Sequence, residues 1–279
     1  MSDDMFICSM AEMAYFNKEY VEECFSCKTD NEIKNEINLS VNLICTPYFF
    51  DASETGYCDA QVYICNTKKN ELLITCRGTE SLSDIITDLK LWRDNLYDIY
   101  YNNNFQKYKT KFSIPKVHAG FYEQYHTIKD IIYQKIHTYL ETEENPVIIF
   151  TGHSLGGALA TIGAACMSII FKHRNVNVKC YTYGSPKVGN YEFVNIFNTF
   201  VNKSVRYVNN KDPVPMTPYL GYAHVKGFQH LNNTIDIYKF TFPIMYIDKN
   251  DHYICNYKKQ LCKESKDIFK KLLLDNDEL

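Results

Sequence analysis

The pentapeptide Gly152-His153-Ser154-Leu155-Gly156 places a serine between two glycines, each two residues away. Such a G-x-S-x-G segment, set between a strand and a helix, forms a turn so tight that only small residues fit around it. Gly152, Gly156 and Gly157 supply those small residues. The turn lifts the serine hydroxyl out of the sheet to the N-terminus of a helix, where the dipole favours negative charge. The chemistry this suits is nucleophilic attack by Ser154 on an acyl carbon, with the amide of Leu155 aimed at the developing oxyanion.

A serine is a weak nucleophile without a base, so an acid and a histidine are expected after it in the chain. Asp212 is the favoured acid: it lies just past the carboxyl end of the β-rich run Val205–Asn209 and precedes Pro213 and Pro215, which stiffen the turn. Asp236 and Asp248 are rivals. Three histidines follow Asp212, namely His224, His230 and His252, and order alone does not separate them.

The surrounding pattern is that of elements able to hold such a site. Val147–Phe150 reads as a short buried strand before the turn, and Ser154–Phe171, which carries no charge, reads as a helix buried against a sheet. That stretch is too short and too rich in Gly, Ser and Thr for a membrane span. Val178–Tyr183 and Val205–Asn209 are further expected strands, so strand and helix alternate as in an α/β fold with parallel strands. Upstream, residues 2–27 are expected to form one helix with Phe6, Met10, Met13 and Ala14 on its apolar side. Ala60–Cys65 and Glu71–Cys76 are expected to pair as a hairpin, and residues 121–140 to be helical. Leu82, Ile85, Ile86, Leu89, Trp92 and Leu96 form an apolar stripe at helical spacing. Residues 28–56 and 97–116 show no clear period.

The chain has 279 residues and a net charge of -3, from 30 basic and 33 acidic side chains, which argues against an obligate nucleic-acid binder. With 46% hydrophobic residues it holds enough apolar mass for a core. Neither repeat nor linker interrupts it, and one domain over residues 1–279 is expected. Asn, Lys, Ile and Tyr are over-represented, the skew of an AT-rich genome such as that of a large DNA virus or a protist. Eleven cysteines, an odd number, leave at least one unpaired. Met1-Ser2-Asp3-Asp4 lacks the basic start of a secretory signal, so a cytoplasmic protein with reduced, buried thiols is expected, with contact to a membrane or lipid droplet as an option. Cys24 and Cys27 form a lone C-x-x-C without a second pair at zinc spacing, and neither metal nor organic cofactor is expected. The sequons at Asn38, Asn202 and Asn232 are frequent by chance in an Asn-rich chain. The ending Asn276-Asp277-Glu278-Leu279 is similar to an ER-retention signal but has no entry signal to act with. The run Lys258–Leu274 is basic on one side and apolar on the other, as in a docked terminal helix.

Five segments in order resemble the class 3 (fungal-type) lipase family of the α/β-hydrolase superfamily. They are Cys76-Arg77-Gly78-Thr79-Glu80 with Asp88-Leu89, Val117-His118-Ala119-Gly120-Phe121, Gly152 to Ala160, Tyr183 to Asn190, and Val208 to Pro215, with Asp251-His252-Tyr253 extending the match. The resemblance implies an α/β-hydrolase fold with a central, mostly parallel sheet flanked by helices. It implies that Ser154 is the nucleophile, Asp212 the orienting acid, and His252, at the family's late D-H-x-x-Y motif, the general base. His224 then matches a structural histidine. Thr79 and Leu155 match the oxyanion hole, and the stripe near residues 80–96 matches the family's lid helix, with Ile85 where many members carry Trp. The activity implied is hydrolysis of lipid carboxylic esters: triacylglycerol, mono- or diacylglycerol, or phospholipid. The expected partner is the lipid ester, with transient contact at a lipid surface and neither nucleic acid nor a transmembrane segment. Two other readings are a non-lipid carboxylesterase of feruloyl type and a catalytically silent α/β-hydrolase used for binding or signalling.

Overall fold

In a computed structural model, residues 3–16, 18–26, 47–55, 60–79, 96–98, 114–218, 220–231 and 249–263 are described. The expected hairpin forms from β2 (Gln61–Asn66) and β3 (Leu72–Cys76), with Ile64 opposite Ile74 and Asn66 opposite Leu72. Its turn closes through Thr67, whose amide and hydroxyl both engage Glu71, and through Asn70 at φ 60, a left-handed conformation that Asn tolerates. β1 (Tyr48–Asp51) adds to β2 as an outer antiparallel strand. It comes from a stretch without clear period because neither of its faces is fully covered.

From β3 inward the sheet is parallel. β6 (Val147–His153), β7 (Asn177–Tyr183), β8 (Lys203–Asn209) and β9 (Phe228–Leu231) follow in the order β1-β2-β3-β6-β7-β8-β9. β6 runs three residues past the apolar run Val147–Phe150, because Thr151, Gly152 and His153 keep their register with Tyr181, Thr182 and Tyr183. A separate ribbon pairs β4 (Leu96–Asp98) with β5 (Lys116–His118), Leu96 opposite His118. Leu96, the last residue of the apolar stripe, is therefore in a strand. The rest of the lid-like stripe near residues 80–96 lies outside the described residues.

Helices cover both faces. On one side lie α3 (Ala119–Thr142), α4 (Leu155–Ile170) and α5 (Tyr191–Phe200). Ile148 and Phe150 of β6 point there, with Leu72, Ile74 and Cys76 of β3. Fifteen of the sixteen residues of α4, Leu155 to Ile169, are buried, which accounts for its lack of charge. Its two hydroxyls bond back to its own carbonyls, Thr161 to Gly157 and Ser168 to Ala164, so neither side-chain hydroxyl is left bare. No described helix is long and apolar enough to cross a membrane. On the other face, Leu73, Ile149, Tyr181, Tyr183 and Tyr207 pack under the N-terminal helix and under residues 254–263, helix α6.

The single helix expected over residues 2–27 is broken in two, α1 (Asp3–Met13) and α2 (Lys18–Ser26). Phe6, Met10, Met13 and Ala14 are buried as the spacing requires. At the break the Phe16 carbonyl accepts a bond from the Tyr63 hydroxyl, 3.2 Å away. Tertiary contact thus competes with the next helical turn for the Phe16 carbonyl.

Candidate active site

The elbow is built from the pairing of β3, β6 and the helix that follows. Cys76 of β3 is opposite Gly152 of β6, so the Cys76 carbonyl and Arg77 press against the turn. A Cβ on Gly152 would collide with the Gly156 backbone and one on Gly156 with the Cys76 carbonyl, so neither position accepts a side chain. Ser154 sits between them at φ 57, ψ -126, a conformation most L residues avoid and one that the surrounding packing must hold. Its amide bonds to the Tyr183 carbonyl at 2.9 Å, fixing the elbow to β7.

The three residues expected to act together are brought together. The Ser154 hydroxyl lies 2.8 Å from Nε2 of His252, and Nδ1 of His252 lies 2.9 Å from both carboxylate oxygens of Asp212. A carboxylate only accepts, so the His252 proton is on Nδ1 and the bare Nε2 faces the serine hydroxyl, which donates to it. All three side chains are buried. Asp212 is held by two further donors, the Val214 amide on Oδ1 at 2.9 Å and the Tyr257 hydroxyl on Oδ2 at 2.5 Å. Burial, then the charge of Asp212, raises the Tyr257 pKa well above its usual value, so its proton stays on and donates.

Gly184 leaves room for this arrangement. It has φ +58, and a Cβ there would lie 2.7 Å from Oδ2 of Asp212 and 3.0 Å from Nδ1 of His252. The loop carrying His252 is tied to the loop carrying Asp212. Asn209 donates to the Asp251 carbonyl at 2.9 Å, while Asn210 and the Lys211 amide donate to the Asp251 carboxylate at 2.7 and 3.1 Å.

Leu155 follows Ser154 directly, and Thr79 follows Gly78, which packs against the His153 carbonyl. Leu155 is the first residue of α4, where an amide has no acceptor within the helix. Thr79 follows β3, beside the elbow, and is exposed. It lines a cleft of about 230 Å³ together with Tyr15, His153, His252, Tyr253 and Ile254 among the described residues.

The rival histidines lie elsewhere. His230 bonds to the Asn210 carbonyl at 3.2 Å. His224 takes the Pro215 main chain as partner, and burial followed by the nearby Arg206 and Lys187 lowers its pKa to about 3. Asp236 and Asp248 lie outside the described residues. Tyr257 went unrecognised in the sequence. The late D-H-x-x-Y pattern puts its tyrosine three residues after the histidine, where Cys255 stands, and Tyr257 is five residues after it. The spacing of the helix beginning at residue 254 is the signal that could have found it.

The remaining motif segments brace this site. Gly189 bridges Val117 on one side and Ala223 on the other. Asn190 caps α5 by accepting from the Phe193 amide, and also bonds to the Lys116 amide and the Ile114 carbonyl. Among the described residues no cluster of His, Cys, Asp and Glu could hold a metal ion.

A mostly parallel sheet with helices on both faces and a serine at a strained strand-to-helix turn defines an α/β-hydrolase. The chain belongs to the class 3 lipase family, whose model, Lipase (class 3), matches residues 73–222. It is 34% identical over 110 residues to secreted mono- and diacylglycerol lipase 1 of Fusarium solani, covering 39% of this chain and 32% of that protein. It is 25% identical over 189 residues to secreted mono- and diacylglycerol lipase MDL3 of Malassezia globosa, covering 66% and 57%. The chain thus spans about a third to just over half the length of these relatives. The fold is similar to the crystal structure of a lipase from Rhizopus microsporus var. chinensis, with a TM-score of 0.62, 23% identity and coverage of 82% of this chain and 73% of that one.

The names of these relatives overturn the expected cytoplasmic localisation, since both are secreted proteins. That expectation rested on the first residues and on the thiols, and neither bears on export. A chain that spans only part of its relatives says nothing through where it begins. Cys8, Cys76, Cys166 and Cys180 are buried, and burial raises their thiols, leaving them inert in either compartment.

Proposed function

We propose that this chain, acting as a single domain over residues 1–279, hydrolyses carboxylic esters of acylglycerol lipids outside the cell. The observation that carries this is the unbroken chain of bonds from the Ser154 hydroxyl through His252 to Asp212, in a member of the class 3 lipase family. His252 takes the proton as the Ser154 oxygen bonds to the acyl carbon. The negative charge that develops on the carbonyl oxygen is met by the Leu155 amide and by Thr79. The tetrahedral intermediate collapses as the ester C–O bond breaks, and His252 returns the proton to the departing alcohol. Water, deprotonated by His252, attacks the acyl-enzyme, and the fatty acid leaves with Ser154 restored. Asp212 keeps His252 in the required tautomer and stabilises the imidazolium. The two secreted relatives named for mono- and diacylglycerols support partial glycerides as substrates and export as the setting.

The test is an acyl-chain and head-group profile on purified protein and on Ser154→Ala. Turnover of mono- and diacylglycerols, lost in Ser154→Ala, is the expected result. A profile confined to short soluble or aromatic esters would overturn the lipid assignment, and turnover retained in Ser154→Ala would overturn the mechanism.

A further inference from the structure

His153 precedes the nucleophile, yet its side chain serves neither Ser154 nor Asp212. It lies on the α1 side of the sheet, buried, with its ring centroid 4.6 Å from that of His252. Its Nε2 is 2.6 Å from the main-chain carbonyl of His252. A carbonyl only accepts, so Nε2 carries a proton and donates. Burial, then the neighbouring His252, lowers the His153 pKa well below its usual value, so the ring is neutral and Nδ1 is a bare acceptor. The Tyr15 hydroxyl, 2.7 Å away, donates to it. Tyr15 comes from the turn that ends α1, and its hydroxyl fills the space a side chain at Gly78 would need, one residue before Thr79. A second link runs parallel: Glu12 of α1 pairs with Lys258 of α6 at 2.6 Å, partly buried.

We infer that Tyr15 and His153 are positioning residues that hold the main chain of His252, and through it Nε2, in line with Ser154. The Tyr15 hydroxyl fixes the tautomer of His153, and His153 grips the His252 carbonyl. Asp251, the preceding residue, is tied to the Asp212 loop through its own carbonyl and carboxylate, so the backbone at the base is tethered at two consecutive residues. The N-terminal helix thereby becomes part of the catalytic geometry although it contributes no reacting atom. This rests on the hydrolase reading given above.

The experiment compares kcat and KM for a soluble short-chain ester in wild type, Tyr15→Phe, His153→Gln and His153→Leu, with thermal melts for each. Glutamine can accept from Tyr15 through its oxygen and donate to the His252 carbonyl through its amide; leucine can do neither. Misplacing a catalytic group by about 1 Å costs up to about a hundred-fold. Tyr15→Phe is therefore expected to lower kcat by about ten-fold with KM unchanged and the melt preserved, and His153→Gln to keep more activity than His153→Leu. Where His153→Leu does not fold, Tyr15→Phe and His153→Gln decide alone. A Tyr15→Phe kcat equal to wild type, a Tyr15→Phe effect confined to KM, or equal loss in folded His153→Gln and His153→Leu would overturn the inference. Wild-type protein that turns over no ester would instead overturn the hydrolase reading on which it rests.

Discussion

Asp212 receives three kinds of donor at once: the His252 imidazole, the Val214 amide and the Tyr257 hydroxyl. Its role is to accept from Nδ1 and so keep Nε2 bare. Asp212→Asn retains the shape but lets an amide N–H face the imidazole, favouring the wrong tautomer. Its kcat is expected to fall by about 10⁴-fold with the fold intact, read by ester hydrolysis beside a circular dichroism spectrum. Gly184→Ala acts on the same carboxylate by a different route. A left-handed φ costs an alanine about 1–2 kcal/mol, and the new methyl would press on Asp212 at 2.7 Å. Both the melting temperature and kcat should drop; an unchanged melt would mean the backbone relaxes at no cost. At this scale much of the site was legible, because G-x-S-x-G and Asp-Pro at a strand end are local signals. The base was not legible from spacing. Three histidines follow Asp212, and only the fold brings His252, 98 residues from the serine, to its hydroxyl.

Elements became legible where one face meets the core and the other meets solvent, or where burial is complete. The hairpin, α3, α4 and the three central parallel strands carry those patterns. β1 and β9 do not, because each is a short outermost strand with only partial cover. The β4–β5 ribbon has three residues in each strand, too few for a period to show. The break between α1 and α2 was hidden for another reason: the Tyr63 hydroxyl that takes the Phe16 carbonyl comes from a distant strand. Asn190 shows how a motif residue can serve several elements, since its side chain caps α5 and bonds to the main chain at residues 114 and 116. Asn190→Ala should lose the cap, worth about 1 kcal/mol, and leave neighbouring main-chain groups unpaired at a further cost of about 1–3 kcal/mol. Urea titration with an unchanged m-value would register this as a lower midpoint.

For the whole molecule, two buried histidines and the half-buried His224 link stability to pH. Burial lowers His118 to about 4 and His224 to about 3, and holds His153 well below the usual value. Each is neutral when folded, whereas in the unfolded chain each takes up a proton below about pH 6.5. The unfolded state therefore binds more protons between about 6.5 and the folded values, and stability falls as pH drops through that window, by up to about 1.4 kcal/mol per pH unit for each group. The melting temperature should be highest near neutrality and fall from pH 6.5 towards pH 4; a flat profile over that range would contradict the burial of these rings as neutral groups. The alternation of strand and helix had already indicated the architecture at this scale, whereas localisation was misjudged because composition and first residues carry no address. The central claim is that Ser154 is an activated nucleophile, and it is tested most directly by a fluorophosphonate probe followed by peptide mass spectrometry. The expected result is one label per chain, on the peptide containing Ser154, absent in Ser154→Ala and greatly slowed in His252→Ala. Labelling retained in Ser154→Ala, or located on another residue, would contradict the account.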